Sequence, residues 1–161
     1  MSFKIAIGTS TRKTIPEAAQ EAALKCISQL PSEDEANLAL VFSTPDFASA
    51  GLLKSIRQVL KSNIPLIGCS AVNLITAEGI QKEGVLIALL SLTNTKISCG
   101  LIETTKNKDA LLCGQELGTS LASNLKGQRR QFCLLFNDGL SENTSGLIKG
   151  LQSVLGVSFP F

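Results

Sequence analysis

Hydrophobic and polar positions along this chain change period several times, and each change marks an element. Phe3 to Gly8 is a short apolar run closed by glycine, which reads as a strand. Thr14-Ile15-Pro16-Glu17 follows with capping-box spacing and a proline in the first turn. The helix it opens carries Ala19, Ala22, Ala23, Cys26, Ile27 and Leu30 on one face, and Pro31 ends it. Ser32 to Asn37 are polar and acidic and read as a solvated loop. Leu38 to Phe42 is a second strand, leading into Ser43-Thr44-Pro45-Asp46. The next helix has Leu52, Leu53, Ile56, Val59 and Leu60 as its stripe. Ile64 to Gly68 is a third strand, and its unbroken apolar character predicts cover on both faces.

Gly84 to Leu92 and Lys96 to Ile102 read as an antiparallel hairpin around Thr93-Asn94-Thr95. Asp109 caps a third helix with Ala110, Cys113, Leu117, Leu121 and Leu125 on its inner face. Phe132 to Phe136 reads as a strand closed by Asn137-Asp138-Gly139, and a fourth helix buries Leu147, Ile148, Leu151, Val154 and Leu155. Strands alternating with helices of this length predict an α/β fold, a layered mixed sheet with helices packed on it and one inserted hairpin.

The pattern also repeats. At a spacing of about 95 residues Gln20-Glu21 recurs as Gln115-Glu116, Ser28 as Ser123 and Leu30 as Leu125. Gly51-Leu52-Leu53-Lys54 returns as Gly146-Leu147-Ile148-Lys149, Val59-Leu60 as Val154-Leu155, and Pro65 as Pro160. The expectation is a single domain over residues 1–161, built from two similar halves, about 1–92 and 96–161, the second incomplete.

Composition narrows the function classes. Apolar residues make up 44% and charged residues 17%, so the chain can support a folded core. The basic residues are scattered and the net charge is only +2, which gives nucleic-acid binding little support. Lys126, Arg129 and Arg130 read as a solvated loop. The five cysteines are widely spaced and mostly lie in apolar segments, so they read as reduced, buried residues in a cytoplasmic protein. No stretch has the length of a spanning helix, so membrane insertion is not expected.

The chain contains no histidine, which excludes Cys-His and Ser-His-Asp catalysis within it and histidine ligation of a metal or haem. No P-loop or dinucleotide fingerprint is present. What remains is a set of small polar strand ends: Gly8-Thr9-Ser10-Thr11, Ser43 to Asp46, Gly68-Cys69-Ser70 and Asn137 to Gly139. In open α/β sheets ligands bind at such carboxyl edges. Asp46 and Asp138 suit an ammonium group, and Arg12 with the helix N-termini suits a carboxylate. The same residues also serve as ordinary caps and turns.

Taken in order, these segments resemble the N-terminal part of the FIST domain (F-box and intracellular signal transduction proteins). The matching pieces are Gly8-Thr9-Ser10, Pro16 to Ala19, Leu40 to Phe47, Ile64 to Ala71, Gly79, Gly84-Val85 and Phe136 to Leu140. The sequence departs from the family pattern at Asn73, near a position where the family usually has glycine. Beyond Phe161 the family continues with a Gly-Gly-Ser-Ala-Gly-Asp-like segment. The resemblance implies a sensory input module of prokaryotic signalling proteins that binds small molecules such as amino acids without turning them over. Some relatives bind haem, a property not carried over to a chain without histidine.

The expectation is therefore a sensory, small-molecule-binding module that binds a small polar metabolite through Ser10, Arg12, Ser43, Asp46, Gly68, Cys69, Ser70, Asp138 and Gly139. No catalytic residue, metal or cofactor is expected; the expected partner is a signalling output protein or domain. Two alternatives stand beside it. One is a cysteine-dependent enzyme with Cys69 as nucleophile and a base from another chain. The other is a scaffold or homo-oligomer pairing through an unfinished C-terminal sheet edge.

Overall fold

The computed structural model describes residues 3–31, 36–60, 63–103, 108–126, 128, 131–139 and 143–161. The chain divides into two compact units, Met1–Thr95 and Lys96–Phe161. Residues 32–35 and Arg129-Arg130, read above as solvated loops, lie outside the described residues.

The first unit holds β1 (Phe3–Ser10), α1 (Ile15–Ile27), β2 (Leu38–Ser43), a 3₁₀ turn (Pro45–Phe47) and α2 (Ala50–Val59). β3 (Leu66–Ser70), β4 (Leu74–Thr76), β5 (Gly79–Gln81) and β6 (Val85–Leu92) complete it. The caps are those the sequence chemistry calls for. Thr14 accepts from the Glu17 amide at 3.4 Å and donates to the Glu17 carboxylate at 2.8 Å. Ser49 accepts from the Leu52 amide and starts α2.

One sheet runs β1-β6-β2-β3, with β6 antiparallel to both neighbours and β2 parallel to β3. The apolar strand β6 thus sits inside the sheet, as a strand without polar alternation should. This corrects the expected hairpin. Lys96 to Ile102 form no ladder, because both edges of β6 are already taken, from Ser10↔Val85 to Phe3↔Leu92 on one side and along Leu38 to Ser43 on the other. The tight turn at Thr95, whose amide donates to Leu92 C=O, instead leads the chain away from the ladder.

Helices α1 and α2 cover one face. Ala18, Ala19, Ala22, Ala23 and Cys26 are fully buried, and these short side chains let α1 lie close on the strands. The approach is closest at Gly8, where an added Cβ would stand 2.0 Å from the Ala22 carbonyl oxygen. The Cys26 thiol donates to the Ile87 carbonyl at 3.1 Å across the same contact. On the other face Phe3, Ile5 and Ile7 are exposed.

A second correction concerns β3. It is an edge strand whose residues are half-buried or exposed, not a strand covered on both faces. A four-residue apolar run cannot distinguish two covering layers from one layer and one neighbouring strand. The β4–β5 hairpin, with Ile75 opposite Ile80, was not anticipated because each strand is only three residues long.

The second unit contains α3 (Ala110–Asn124) and α4 (Thr144–Leu155), capped by Asp109 and Asn143. Gly114 meets Leu147 and Gly150, while Gly118 meets Leu151 and Val154, so the two helices run side by side in the same sense. A Cβ on Gly114 would stand 2.2 Å from the Leu147 carbonyl oxygen, so glycine is what permits this backbone contact. Cys113, Leu117, Leu147, Leu151 and Leu155 form the core. Phe132 to Phe136 do not form the expected strand and enter neither sheet of the described residues. One backbone bond, from the Cys133 amide to Pro160 C=O at 3.1 Å, joins this segment to the C-terminal residues.

Candidate functional site

Because β1 and β2 are both antiparallel to β6, and β3 is parallel to β2, the three strands end at one edge of the first unit. Their last residues align in a row: Ser10 pairs with Val85, Val85 with Ser43, and Ser43 with Ser70. Ser10 and Ser43 are buried on the helix-covered side, and Ser70 is exposed. Thr44 and Gly84 tie this edge together. The Thr44 amide donates to Gly84 C=O and the Gly84 amide donates to the Thr44 hydroxyl, both at 3.0 Å. Gly84 has φ +139°, and a Cβ there would meet the Ser10 carbonyl oxygen at 2.3 Å, so only glycine fits.

At the β1 end of the row, the chain opens into a solvent-facing concavity of about 640 Å³. It is lined by Thr9, Ser10, Thr11, Arg12, Lys13, Glu17, Glu21, Lys25 and Gln81. Glu21 organises it. The Ser10 hydroxyl donates to its carboxylate at 2.6 Å, Arg12 Nε lies 3.1 Å away and Lys25 Nζ 3.3 Å away. Ser10 also accepts from the Arg12 amide, and Lys25 donates to Thr9 C=O. The Ser10 hydroxyl first, then the Lys25 ammonium and Arg12, hold the Glu21 carboxyl below its ordinary range. Gln81 also belongs to the lining, and its Oε1 is buried with no hydrogen-bond donor among the described residues.

The sign of the Glu21 shift fixes a pH dependence. A carboxyl whose folded pKa is depressed adds stability above the ordinary glutamate range, and loses it as pH falls through the folded value. Urea melts at neutral pH and near pH 3 should therefore differ less in Glu21→Gln than in the parent, and an identical acid loss in both would refute the network.

The residues singled out in the sequence fall into three groups. Ser10 and Arg12 lie in the concavity. Ser43 and Ser70 share the edge row; Gly68 precedes Ser70 on β3, where a Cβ would meet Val41 C=O at 1.7 Å, and Asp46 is exposed on the 3₁₀ turn. None of these four lines the concavity. Asp138 and Gly139 belong to the second unit, where the Asn137 side-chain NH₂ donates to Asp138 C=O at 3.1 Å and to the Thr144 hydroxyl at 2.7 Å. Glu21 and Lys25 were not singled out, although their four-residue spacing places them on one flank of α1. Nothing local to Gln81 announces its place in the concavity, which depends on the unanticipated β4–β5 hairpin.

The cysteines also differ from the expectation of general burial. Cys26 and Cys113 are buried and Cys133 is half-buried, but Cys69 and Cys99 are exposed. Cys69 pairs with Phe42, on the sheet face opposite to that of the serine row, and sits in a strand away from any helix N-terminus. Burial pushes the Cys26 thiol up to about 11. Iodoacetamide near pH 8 should accordingly modify Cys69 and Cys99 in the native protein, and spare Cys26 and Cys113 until it unfolds. Native labelling of Cys26 would contradict the packing of α1 on β6.

This arrangement favours recognition over proton transfer. The one hydroxyl–carboxylate pair in the concavity, Ser10 with Glu21, uses a carboxylate whose lowered pKa makes it a weaker base. Among the described residues no cluster of three or more His, Cys, Asp or Glu is placed to hold a metal ion, and no helix is long and apolar enough to cross a membrane. The fold and site define an α/β domain with a polar carboxyl edge of ligand size.

Comparison with family models matches residues 37–161 to the FIST N domain, most of the chain, and the protein belongs to the FIST family. This is a family of sensory, non-catalytic domains of signal transduction. No curated protein matches the sequence. The matched span includes Ser43, Asp46, Gly68 to Ser70, Gln81, Asp138 and Gly139, while the β1–α1 half of the concavity precedes it.

Proposed function

We propose that this domain senses a small zwitterionic metabolite, such as an amino acid, in the concavity beside β1, and passes its occupancy to a signalling output partner in the cytoplasm. The observation that carries the reading is the disposition of charge. Arg12, Lys13 and Lys25 line the concavity with donors for a carboxylate, and Gln81, also in the lining, carries a side-chain oxygen with no donor among the described residues, which suits an ammonium group. Glu21 neutralises part of the cationic side, so a singly charged carboxylate suits the site better than a multiply charged anion. A ligand that bridges β1, α1 and the β4–β5 hairpin would bias the partner-binding state through its differential affinity.

The test is a thermal-shift screen of free amino acids beside their amides and N-acetyl derivatives. Free amino acids should stabilise the protein and both blocked series should not. Equal shifts from the N-acetyl derivatives would remove the proposed role of Gln81.

We propose as well that the domain consists of two copies of one unit. Support comes from the burial register: Ala18, Ala19, Ala22 and Ala23 on α1 correspond, 95 residues on, to Cys113, Gly114, Leu117 and Gly118 on α3, all buried. Leu52, Ser55, Ile56 and Leu60 correspond likewise to Leu147, Gly150, Leu151 and Leu155. Backbone bonds recur as well, Ala18 to Thr14 as Cys113 to Asp109, and Leu30 to Ile27 as Leu125 to Ala122. Ala39 to Pro65 recurs as Cys133 to Pro160, within one residue. On this reading Asn137 to Gly139 is the counterpart of the Ser43 to Asp46 turn. Aligning the two halves in many family members checks it: a constant helix offset is expected, and a randomly varying one would remove the reading.

A further inference from the structure

Two of the three cations that line the concavity already engage a carboxylate of the protein itself. Glu21 Oε2 accepts from the Ser10 hydroxyl at 2.6 Å and from Arg12 Nε at 3.1 Å, and Glu21 Oε1 lies 3.3 Å from Lys25 Nζ. A hydroxyl, a guanidinium and an ammonium on two oxygens are the donor set that would hold a small bound carboxylate.

The donors are placed by contacts of their own. The Arg12 amide donates to the Ser10 hydroxyl oxygen at 3.2 Å, which fixes the chain where it leaves β1. Lys25 donates to Thr9 C=O at 2.9 Å, which anchors its ammonium to the same strand end. The Arg12 and Glu21 side chains are 65% and 31% exposed, so their ion pair is screened and open to exchange with an anion from solvent. Glu17, the other carboxylate of the lining, is engaged differently, accepting from the Thr14 hydroxyl in the cap of α1.

We infer that Glu21 is the specificity-determining residue of the concavity: it occupies the anion position itself, and a ligand carboxylate enters by displacing it from Arg12 and Ser10. The inference rests on the reading of the concavity as the ligand site. Displacement leaves no orphan charge, because Lys25 lies one turn further along α1 and keeps the Glu21 carboxylate paired. It also selects by charge. Three cations against two carboxylates leave the lining with one net positive charge, and the displaced Glu21 stays close enough to oppose a second negative charge on the ligand.

Titration of the ¹⁵N-labelled protein with acetate and with malonate at constant ionic strength, followed at Arg12 Nε–H and the amides of residues 9–13, tests this. Glutamine keeps the shape of the side chain and still accepts from Ser10, so Glu21→Gln removes the charge and little else. The variant is expected to bind acetate about fivefold more tightly than the parent, the size of a lost exposed ion pair, and to gain more for malonate. Glu78→Gln is the control for the general field, since Glu78 is exposed in the β4–β5 turn, senses the Lys25 charge and does not line the concavity. Its acetate affinity should stay within about twofold of the parent's.

Weaker acetate binding in Glu21→Gln would show that Glu21 positions Arg12 and would overturn the inference, as would an equal gain in Glu78→Gln. The two readings fail separately. A parent that responds to amino acids, with no gain for acetate in Glu21→Gln, overturns the part given to Glu21 and leaves the amino-acid site standing. A gain for acetate in Glu21→Gln, with a parent that ignores amino acids, supports the displacement and removes the amino acid as ligand.

Discussion

Gly8→Val is expected to destabilise the first unit by about 3 kcal/mol or more. Gly8 lies at the point where α1 crosses β1. A Cβ there would stand 2.0 Å from the Ala22 carbonyl oxygen and 3.0 Å from the Cys26 sulfur. The obstacle is backbone, so no rotamer change relieves it. Relief requires α1 to lift from the sheet, opening the contact between its fully buried alanines and Ile87 and Leu89. The Cys26–Ile87 hydrogen bond would go with it.

Hydrogen exchange resolved by segment is the measurement, because it reads the first unit separately from the second. Amides of β1 and α1 should lose protection in Gly8→Val, while α3 and α4 keep theirs. Gly8→Ala should show a smaller loss in the same segments. Parent-like protection throughout would mean that α1 does not rest on Gly8.

Arg12→Ala is expected to abolish amino-acid-induced stabilisation while costing little in the unliganded protein. At 100 times its Kd a ligand contributes roughly 2.7 kcal/mol, which for a chain of this size is about 5–11 °C in Tm. The basal cost is small because the Arg12 side chain is 65% exposed and its ion pair with Glu21 is screened. Differential scanning fluorimetry with and without ligand separates the two effects. Loss of the shift with an unchanged basal Tm is the expected result; a full shift in Arg12→Ala would remove the carboxylate contact from the proposal. Asp46→Ala maps the extent of the site. A retained response confines the ligand to the concavity, and a lost one extends it along the serine row.

Much of the local structure was legible because its causes are local. The Thr14–Glu17 box and Asp109 before α3 each satisfy orphan amides within one turn. The alanine stripe of α1 was legible as the inner face of a helix. The small residues after β1, β2 and β3 pointed to a polar carboxyl edge, and their alignment as Ser10, Ser43 and Ser70 follows once the strands are parallel. Glu21 and Lys25 were readable as a helical pair but not as part of a site, since nothing in a four-residue spacing says what the pair faces.

Strand partners were not legible. Lys96 to Ile102 and Phe132 to Phe136 have apolar patterns like those of strands, yet neither enters a ladder among the described residues. Periodicity records which side of a segment avoids water and carries no record of the neighbour. The first ladder choice settled the rest: once β1 and β2 flank β6, no edge of β6 remains for residues 96–102.

By itself the sequence determined where the helices lie, the caps of α1 and α3, the absence of any histidine chemistry, and the polar character of the strand ends. These depend on contacts within a few residues or on composition alone. Only the tertiary structure decided that β6 lies inside the sheet, that β3 is an edge strand, and that Gln81 lines the same concavity as Arg12 and Glu21. Those features are made by residues tens of positions apart. Their pairing is chosen by competition among all the segments for the same hydrogen-bonding edges and the same buried face, which no local stretch of sequence encodes.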